Sequence, residues 1–280
     1  MQVLITGAAG GLGRAFAVEC AARGYDLMLT DLDACGLQAI GQGIQKRYGV
    51  RVMTQACDLT QPQAADKLLE YCKNQNMDVQ MLLNVAGVDF EGGFLQRSGQ
   101  SIAQIVRLNI EATLCVTHRA LEARRGDAPF YIVFVSSLAS LYPMPLKATY
   151  AASKRFLLDF GCALGQELKS DNVRVLTLCP GGLATTEQVM EAIAAQGLWG
   201  SGTTNHLESV TRRSIDGVLR GRRTYIPGAL NRVLAALGRL IPRKMLAAIL
   251  YRRWRQAQSH WLENPAQGAQ ASPEKVKEPA

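Results

Sequence analysis

The stretch "MQVLITGAAGGLG", residues 1–13, decides how the chain begins to fold. Residues 2–6 are an apolar run of strand length, and glycines at 7, 11 and 13 follow it almost without a spacer. Glycine lets a backbone turn tightly and approach a bound group closely. Residues 11–24 then carry a helical pattern whose first N–H groups have no partner within the helix. Strand, glycine turn and helix N-terminus in that order can cradle a diphosphate. Glycine-rich turns are common, so this one takes its meaning from what comes after it.

What comes after repeats the unit. Residues 25–30, 50–56, 79–84, 130–136 and 173–179 read as short strands. Several are apolar at nearly every position, as expected where both faces of a sheet are covered. Helical patterns at 61–75, 99–125 and 147–169 lie between them. Repeated βα units predict an α/β fold with a doubly wound, parallel, Rossmann-like sheet and ligands at the carboxyl ends of the strands. "TYIPG", 224–228, adds a last short strand that stops at Pro227.

Asp31 falls at the end of the second strand, where an acid can accept hydrogen bonds from an adenosine ribose and repel a 2′-phosphate. Gly10 and Leu32, the neighbours expected to carry a phosphate-binding cation, are not basic. The reading is NAD in preference to NADP. "CDLT" puts Asp58 and Leu59 after the third strand, and "NVAG" puts Asn84, Ala86 and Gly87 after the fourth. Each of these alone reads more simply as turn chemistry than as a ligand contact.

Tyr150 and Lys154 stand four apart on the helix after "FYIVFVSS", so their side chains share a face. A nearby ammonium favours a phenolate and lowers a tyrosine pKa. Ser137, at the end of the preceding strand, offers a hydroxyl to a substrate oxygen. A bare Tyr-x-x-x-Lys is a surface pair in most proteins, but this one has company. TGxxxGxG at the amino end, NxAG at 84–87, Asn109 in "RLNIEAT", Ser137, Tyr150, Lys154 and "PGGLAT" at 180–185 follow one another. In order and spacing the chain resembles the short-chain dehydrogenase/reductase family from Met1 to about Pro227. That resemblance implies an NAD(P)-dependent oxidoreductase acting on an alcohol or ketone. It implies Tyr150 as proton donor or acceptor, Ser137 as polariser of the substrate oxygen, and Lys154 as the group that lowers the tyrosine pKa and binds the nicotinamide ribose. It implies that Asn109 holds a water relaying protons through Lys154. Cofactor contacts are implied for Gly7, Gly11, Leu12, Gly13, Asp31, Asp58, Leu59, Asn84, Ala86, Gly87, Tyr150, Lys154, Pro180, Gly181 and Thr185. The family often has a second asparagine where this chain has Val85, which puts the local hydrogen bonding in question.

The substrate side is less legible. Residues 186–215 read as a helical lid in which Met190, Ile193, Leu198 and Trp199 either line an apolar pocket or pack the lid onto the sheet. Tyr142, with Leu138 and Met144, either lines that pocket or packs against a neighbour. No cluster of Arg or Lys is evident near Tyr150, so a hydrophobic secondary alcohol or ketone, such as a steroid or lipid, is the leading expectation. The alternatives are a 3-oxoacyl reductase, against which Asp31 counts through its bias to NAD, and a non-catalytic NAD-binding regulatory protein.

Composition bounds the rest. With 280 residues and 48% hydrophobic content the chain can build one large core. Seven scattered cysteines without a CxxC spacing read as small buried thiols in a reducing compartment. Three distant histidines give no metal-ligand spacing, so no metal is expected. A basic leader and a run of about 18 uncharged apolar residues are both missing, which predicts a cytoplasmic protein. The net charge of +8 is concentrated: residues 217–255 hold ten Lys or Arg and no acid. Within it, 229–260 forms a basic extension of two amphipathic helices hinged at Pro242, beyond a catalytic domain of 1–228. Val233, Leu234, Leu237 and Ile241 share one face, and Met245, Leu246, Ile249 and Leu250 another. Three readings stand for 229–255: packing on the body or on a partner subunit, peripheral docking at the inner membrane surface, and, ranked last, nucleic acid, for which no module is present. Residues 261–280 read as a disordered tail. The resemblance implies a homo-oligomer formed through the long helices.

Overall fold

The computed structural model describes residues 1–183, 205–238 and 240–257. Seven strands form one parallel sheet in the order β3-β2-β1-β4-β5-β6-β7. They are β1 Gln2–Thr6, β2 Asp26–Asp31, β3 Val52–Ala56, β4 Met81–Asn84, β5 Phe130–Val135, β6 Val173–Leu178 and β7 Thr224–Tyr225. The α-helices are α1 Gly11–Ala22, α2 Ala34–Tyr48, α3 Ala64–Asn74, α4 Gly99–Val106, α5 Thr113–Glu122, α6 Ala148–Glu167, α7 Leu207–Leu219, α8 Ala229–Gly238 and α9 Arg243–Ala257. The parallel α/β architecture is the one the alternating patterns require.

Successive strand residues point to opposite faces, and the two cores divide accordingly. Val3 and Ile5 of β1, Leu27 and Leu29 of β2 and Leu83 of β4 pack with Phe16 and Ala17 of α1 and Val210 and Ile215 of α7. Leu4, Met28 and Leu82, one residue out of step, pack with Leu68 of α3, Val116 of α5 and Phe130, Ile132 and Phe134 of β5. With both faces covered, the strands have few positions left for polar residues.

Register fixes where the strands stop. Thr6 pairs with Thr30 on one side and Asn84 on the other, and Asn84 pairs with Phe134. The chain moves outward from β1 to β3, then returns to the other side of β1 with β4. The connections that follow β1 and β4 therefore lead the chain away in opposite directions, and a ligand crevice is expected at the carboxyl ends where the order reverses.

Four expectations need correction. The single helix over 99–125 is three segments, because Arg107–Ala112 forms a π-helical turn between α4 and α5. The "TYIPG" strand is two residues long, and Pro227 and the turn at Gly228 lead into α8. Residues 207–215 belong to α7, with Val210, Thr211, Ser214 and Ile215 buried against the sheet. The remaining lid residues, Met190, Ile193, Leu198 and Trp199, lie outside the described residues, as do 261–280. All seven cysteines are free, but only Cys20, Cys72 and Cys179 are buried; Cys35, Cys115 and Cys162 are exposed.

The extension uses one side of its helices to pack on the body. Asn231 and Ala235 of α8 and Leu246 of α9 are buried. Gly238 lies against Tyr142, where an added Cβ would come within 3.0 Å of the ring's Cδ1. Tyr142 thus packs against α8, and its buried hydroxyl has no hydrogen-bond partner among the described residues. Among those residues no helix is long and apolar enough to cross a membrane.

Candidate active site

The glycine turn is built as its sequence requires. Gly7 has φ +67°, and a Cβ there would stand 2.7 Å from the backbone of Ala86, so the turn after β1 presses directly on the loop after β4. Thr6 secures that junction: its hydroxyl accepts the N–H groups of Val85 and Ala86 at 3.1 and 3.2 Å. This answers the question raised by Val85, whose backbone is held by Thr6 while its side chain packs on the core. Gly10 caps α1 and has no side chain with which to cover the helix's first N–H groups. A glycine turn with no room for a Cβ, opening directly into a helix N-terminus, fits a diphosphate.

Asp31 closes the turn from β2. Its Oδ2 accepts from Ala9 N at 2.9 Å and its Oδ1 from Leu32 N at 2.7 Å, which fixes the carboxylate and leaves acceptor capacity on each oxygen. Asp58 is occupied differently. It accepts from Thr60 N at 3.0 Å, Thr60 Oγ1 at 2.7 Å and Gln61 Nε2 at 2.8 Å. Burial would raise its pKa, but the bonds from Gln61 and Thr60 outweigh that and hold it below the usual carboxylate value. Asp58 organises the turn before α3, with Leu59 beside it packed on the core. Asn84 is buried and donates to Thr117 Oγ1 at 3.0 Å, so its side chain faces α5.

The proposed chemical groups converge at the crevice. Asn109, fully buried in the π-helical turn, accepts from Val88 N at 2.8 Å and donates to Val88 O at 3.0 Å and Ser153 Oγ at 3.1 Å. Ser153 in turn donates to the carbonyl of Tyr150 at 2.7 Å. The extra residue in the turn is a common feature of functional sites, and here its asparagine bolts the loop after β4 to α6. A Cβ on Gly87 would lie 3.0 Å from Asn109 Oδ1 and 3.1 Å from Lys154 Nζ, so only glycine leaves that corner open. Lys154 is buried, donates from Nζ to Val135 O at 2.9 Å, and has its own carbonyl held by Ser136 Oγ at 2.7 Å. Leu138 N donates to Pro180 O at 2.7 Å, joining the loop after Ser137 to that after β6. Gly181 follows there; Thr185 lies outside the described residues.

Electrostatics at Tyr150 depart from the simple expectation. Burial pushes its phenol up to about 12, with Asp89 and Glu91 acting the same way, against the ammonium of Lys147 and a hydrogen bond with Ser137. Burial brings Lys154 down to about 8 although Asp89 and Cys179 oppose the shift. Lys147 thus joins Lys154 beside the ring, each ammonium 5.7 Å from its centre. Lys147, Asp89, Glu91, Ser153 and Thr6 were not among the expected site residues. Lys147 was the findable one: it stands three positions before Tyr150, on the same helical face.

The family model described as short chain dehydrogenase matches residues 1–196. A very-long-chain 3-oxoacyl-CoA reductase of Laccaria bicolor is 32% identical over 177 residues, 61% of this chain and 52% of that protein. The type 3 17-beta-hydroxysteroid dehydrogenase of Mus musculus is 29% identical over 185 residues, 65% of this chain and 60% of that one. The chain thus spans between half and three-fifths of the length of these relatives. A solved 7β-hydroxysteroid dehydrogenase superposes with a TM-score of 0.81 at 20% identity, covering 89% of this chain and 96% of that one. An L-sorbose reductase from Gluconobacter frateurii, solved with NADPH and L-sorbose, gives 0.73 at 19% identity over 81% and 94%. At those identities the two structures speak for the fold alone. The match over residues 1–196 covers the sheet from β1 to β6 and every motif gathered at its carboxyl edge, and the chain belongs to the short-chain dehydrogenase family.

Proposed function

We propose that the protein is an oxidoreductase that interconverts a hydrophobic secondary alcohol and its ketone with a nicotinamide cofactor. The observation that carries this is the meeting of Ser137, Tyr150 and Lys154 beside the glycine turn, at the strand ends where such a cofactor would lie. Bound there, the cofactor would supply or accept the hydride. Tyr150 would give a proton to the carbonyl oxygen or take one from the hydroxyl, and Ser137 would hold that oxygen in place. Lys154 would bind the nicotinamide ribose, and Asn109 would anchor a water for proton relay beside Gly87. The apolar substrate class is supported by the names of two relatives, one a very-long-chain 3-oxoacyl-CoA reductase and the other a hydroxysteroid dehydrogenase.

NAD is the preferred cofactor in this reading. The fixed carboxylate of Asp31 stands where a 2′-phosphate would add a second negative charge, and Leu32 and Gly10 supply no cation to balance it. Steroids, 3-oxoacyl thioesters and simple secondary alcohols should be assayed with both cofactors side by side. Turnover is expected with an apolar substrate and with higher kcat/KM for NAD, and Asp31→Ser is expected to reduce that preference at least tenfold, the loss of roughly 1.4 kcal/mol of discrimination. A higher kcat/KM with NADP in the wild type would refute the cofactor reading. Cofactor binding without turnover across the whole panel would favour a regulatory protein.

An anionic membrane surface is the proposed contact of the extension. The buried side of α8 and α9 faces the body, yet Val233, Leu237, Leu240, Met245 and Ile249 remain 53%, 52%, 80%, 58% and 53% exposed. These apolar residues lie in the segment with ten Lys or Arg and no acid, and each basic residue near an anionic surface contributes about 1 kcal/mol. Full-length protein is expected to sediment with phosphatidylserine vesicles and not with neutral ones. Val233→Asp with Ile249→Asp should reduce sedimentation at least tenfold. Equal recovery of wild type and double variant would remove the proposal.

A further inference from the structure

Lys147 is the N-terminal cap residue of α6, one helical turn before Tyr150. Its side chain is 13% exposed, a low value for a lysine, and its neighbours come from three parts of the chain. Nζ lies 2.8 Å from Asp89 Oδ2 and also pairs with Glu91, both on the loop that follows β4. It stands 5.7 Å from the ring centre of Tyr150 and 5.7 Å from the ring of Trp254 on α9. The same loop is tied to the residue before Lys147, since Gly92 N donates to Leu146 O at 2.8 Å. Leu146 adopts φ +64°, a conformation that a branched side chain rarely takes unless its surroundings enforce it.

We propose that Lys147 is a positioning residue, which fastens the loop after β4 and helix α9 to the start of α6 and fixes one ammonium beside Tyr150. Two carboxylates around one ammonium hold it in place more firmly than a single exposed pair would. Burial alone would lower the pKa of Lys147, but Asp89 and Glu91 outweigh it and keep the group charged above its ordinary value. The charged and titratable groups facing Tyr150 are Asp89 and Glu91 after β4, Ser137 after β5, and Lys147 and Lys154 on α6. Cys179, after β6, acts on Lys154. Helix α9 contributes the half-buried Trp254, while Arg252, Arg253 and Arg255 are exposed.

The turnover readout rests on the oxidoreductase reading, so the experiment has a second readout independent of catalysis. Full-length wild type, Lys147→Met, Lys147→Arg and Asp89→Asn are compared by amide hydrogen exchange without cofactor and by the pH midpoint of turnover. Lys147→Met should speed exchange in residues 88–93 and 243–255 and raise the midpoint by roughly one pH unit, the effect expected of a unit charge about 6 Å away. Asp89→Asn retains Lys147 and removes a negative charge, so its midpoint should fall. Lys147→Arg should keep both properties near wild type. Unchanged exchange in Lys147→Met, or midpoint shifts of the same sign in Lys147→Met and Asp89→Asn, would overturn the proposal. Should Lys147→Met fail to fold, Asp89→Asn decides by sign: a downward shift supports the role, and no shift or an upward one refutes it. Faster exchange in Lys147→Met with an inactive wild type would support the fastening and refute the oxidoreductase reading, so the two fail separately.

Discussion

Tyr150→Phe is expected to lower kcat by roughly 10²–10⁴-fold, the contribution of a positioned acid or base, while cofactor affinity stays within about threefold of wild type, under 1 kcal/mol. The substitution removes one hydroxyl and leaves the ring. The packing against Lys147 and Lys154, each 5.7 Å from the ring centre, is retained. The backbone of residue 150 stays tied to Ser153, and through it to Asn109. What is lost is the proton and the hydrogen bond with Ser137. Losing that bond should cost about 1 kcal/mol of stability or less, because the group left behind can turn to water. Turnover on the best substrate and a fluorescence titration with cofactor measure the two quantities separately. A variant that keeps a tenth or more of wild-type kcat would refute the assignment of Tyr150. A variant that loses turnover and cofactor binding together would indicate a disturbed fold.

The strands and the glycine turn were legible because local pattern dictates them. An apolar run buried on both faces has no competing use, and a turn that presses on Ala86 tolerates only glycine. The charged cluster around Tyr150 was not legible in the same way. Asp89, Glu91, Lys147 and Trp254 are spread over 166 positions of sequence, and only the closing of the β4 loop onto α6 and the docking of α9 bring them together. The expectation that Lys154 lowers the tyrosine pKa followed from spacing and from the family resemblance. Spacing does not report burial, which leaves Lys154 near 8 and Tyr150 near 12. The interrupted helix had the same cause: "RLNIEAT" is compatible with a regular helix, and the π-helical turn appears where Asn109 meets the backbone of Val88. The two apolar faces proposed for the extension also divided on folding. Leu246 is buried, while Val233 and Ile249 are exposed, because the body covers only one side of each helix.

Gly13→Ala is expected to weaken cofactor binding by roughly ten- to a hundredfold and to destabilise the fold by about 1–3 kcal/mol. Gly13 sits in the first turn of α1, and a Cβ there would overlap the carbonyl oxygen of Gly7 and lie 2.8 Å from both Gly7 C and Ala8 Cα. All three are backbone atoms, so no rotamer change can relieve the contact. Helix α1 and the turn must separate, and that separation displaces the cradle that a diphosphate would meet. A protein of marginal stability can absorb 1–3 kcal/mol and stay folded, with the melting temperature falling by roughly 2–4 °C per kcal/mol. Gly43→Ala is the matched control. Gly43 lies inside α2, exposed, with nothing within 4 Å of an added Cβ. There the helix gains about 0.5–1 kcal/mol, since alanine loses less backbone entropy than glycine, and cofactor affinity should be unchanged. The two substitutions add the same methyl group in opposite environments. Equal cofactor affinity in both variants would mean that the turn between β1 and α1 is not where the cofactor's phosphates bind.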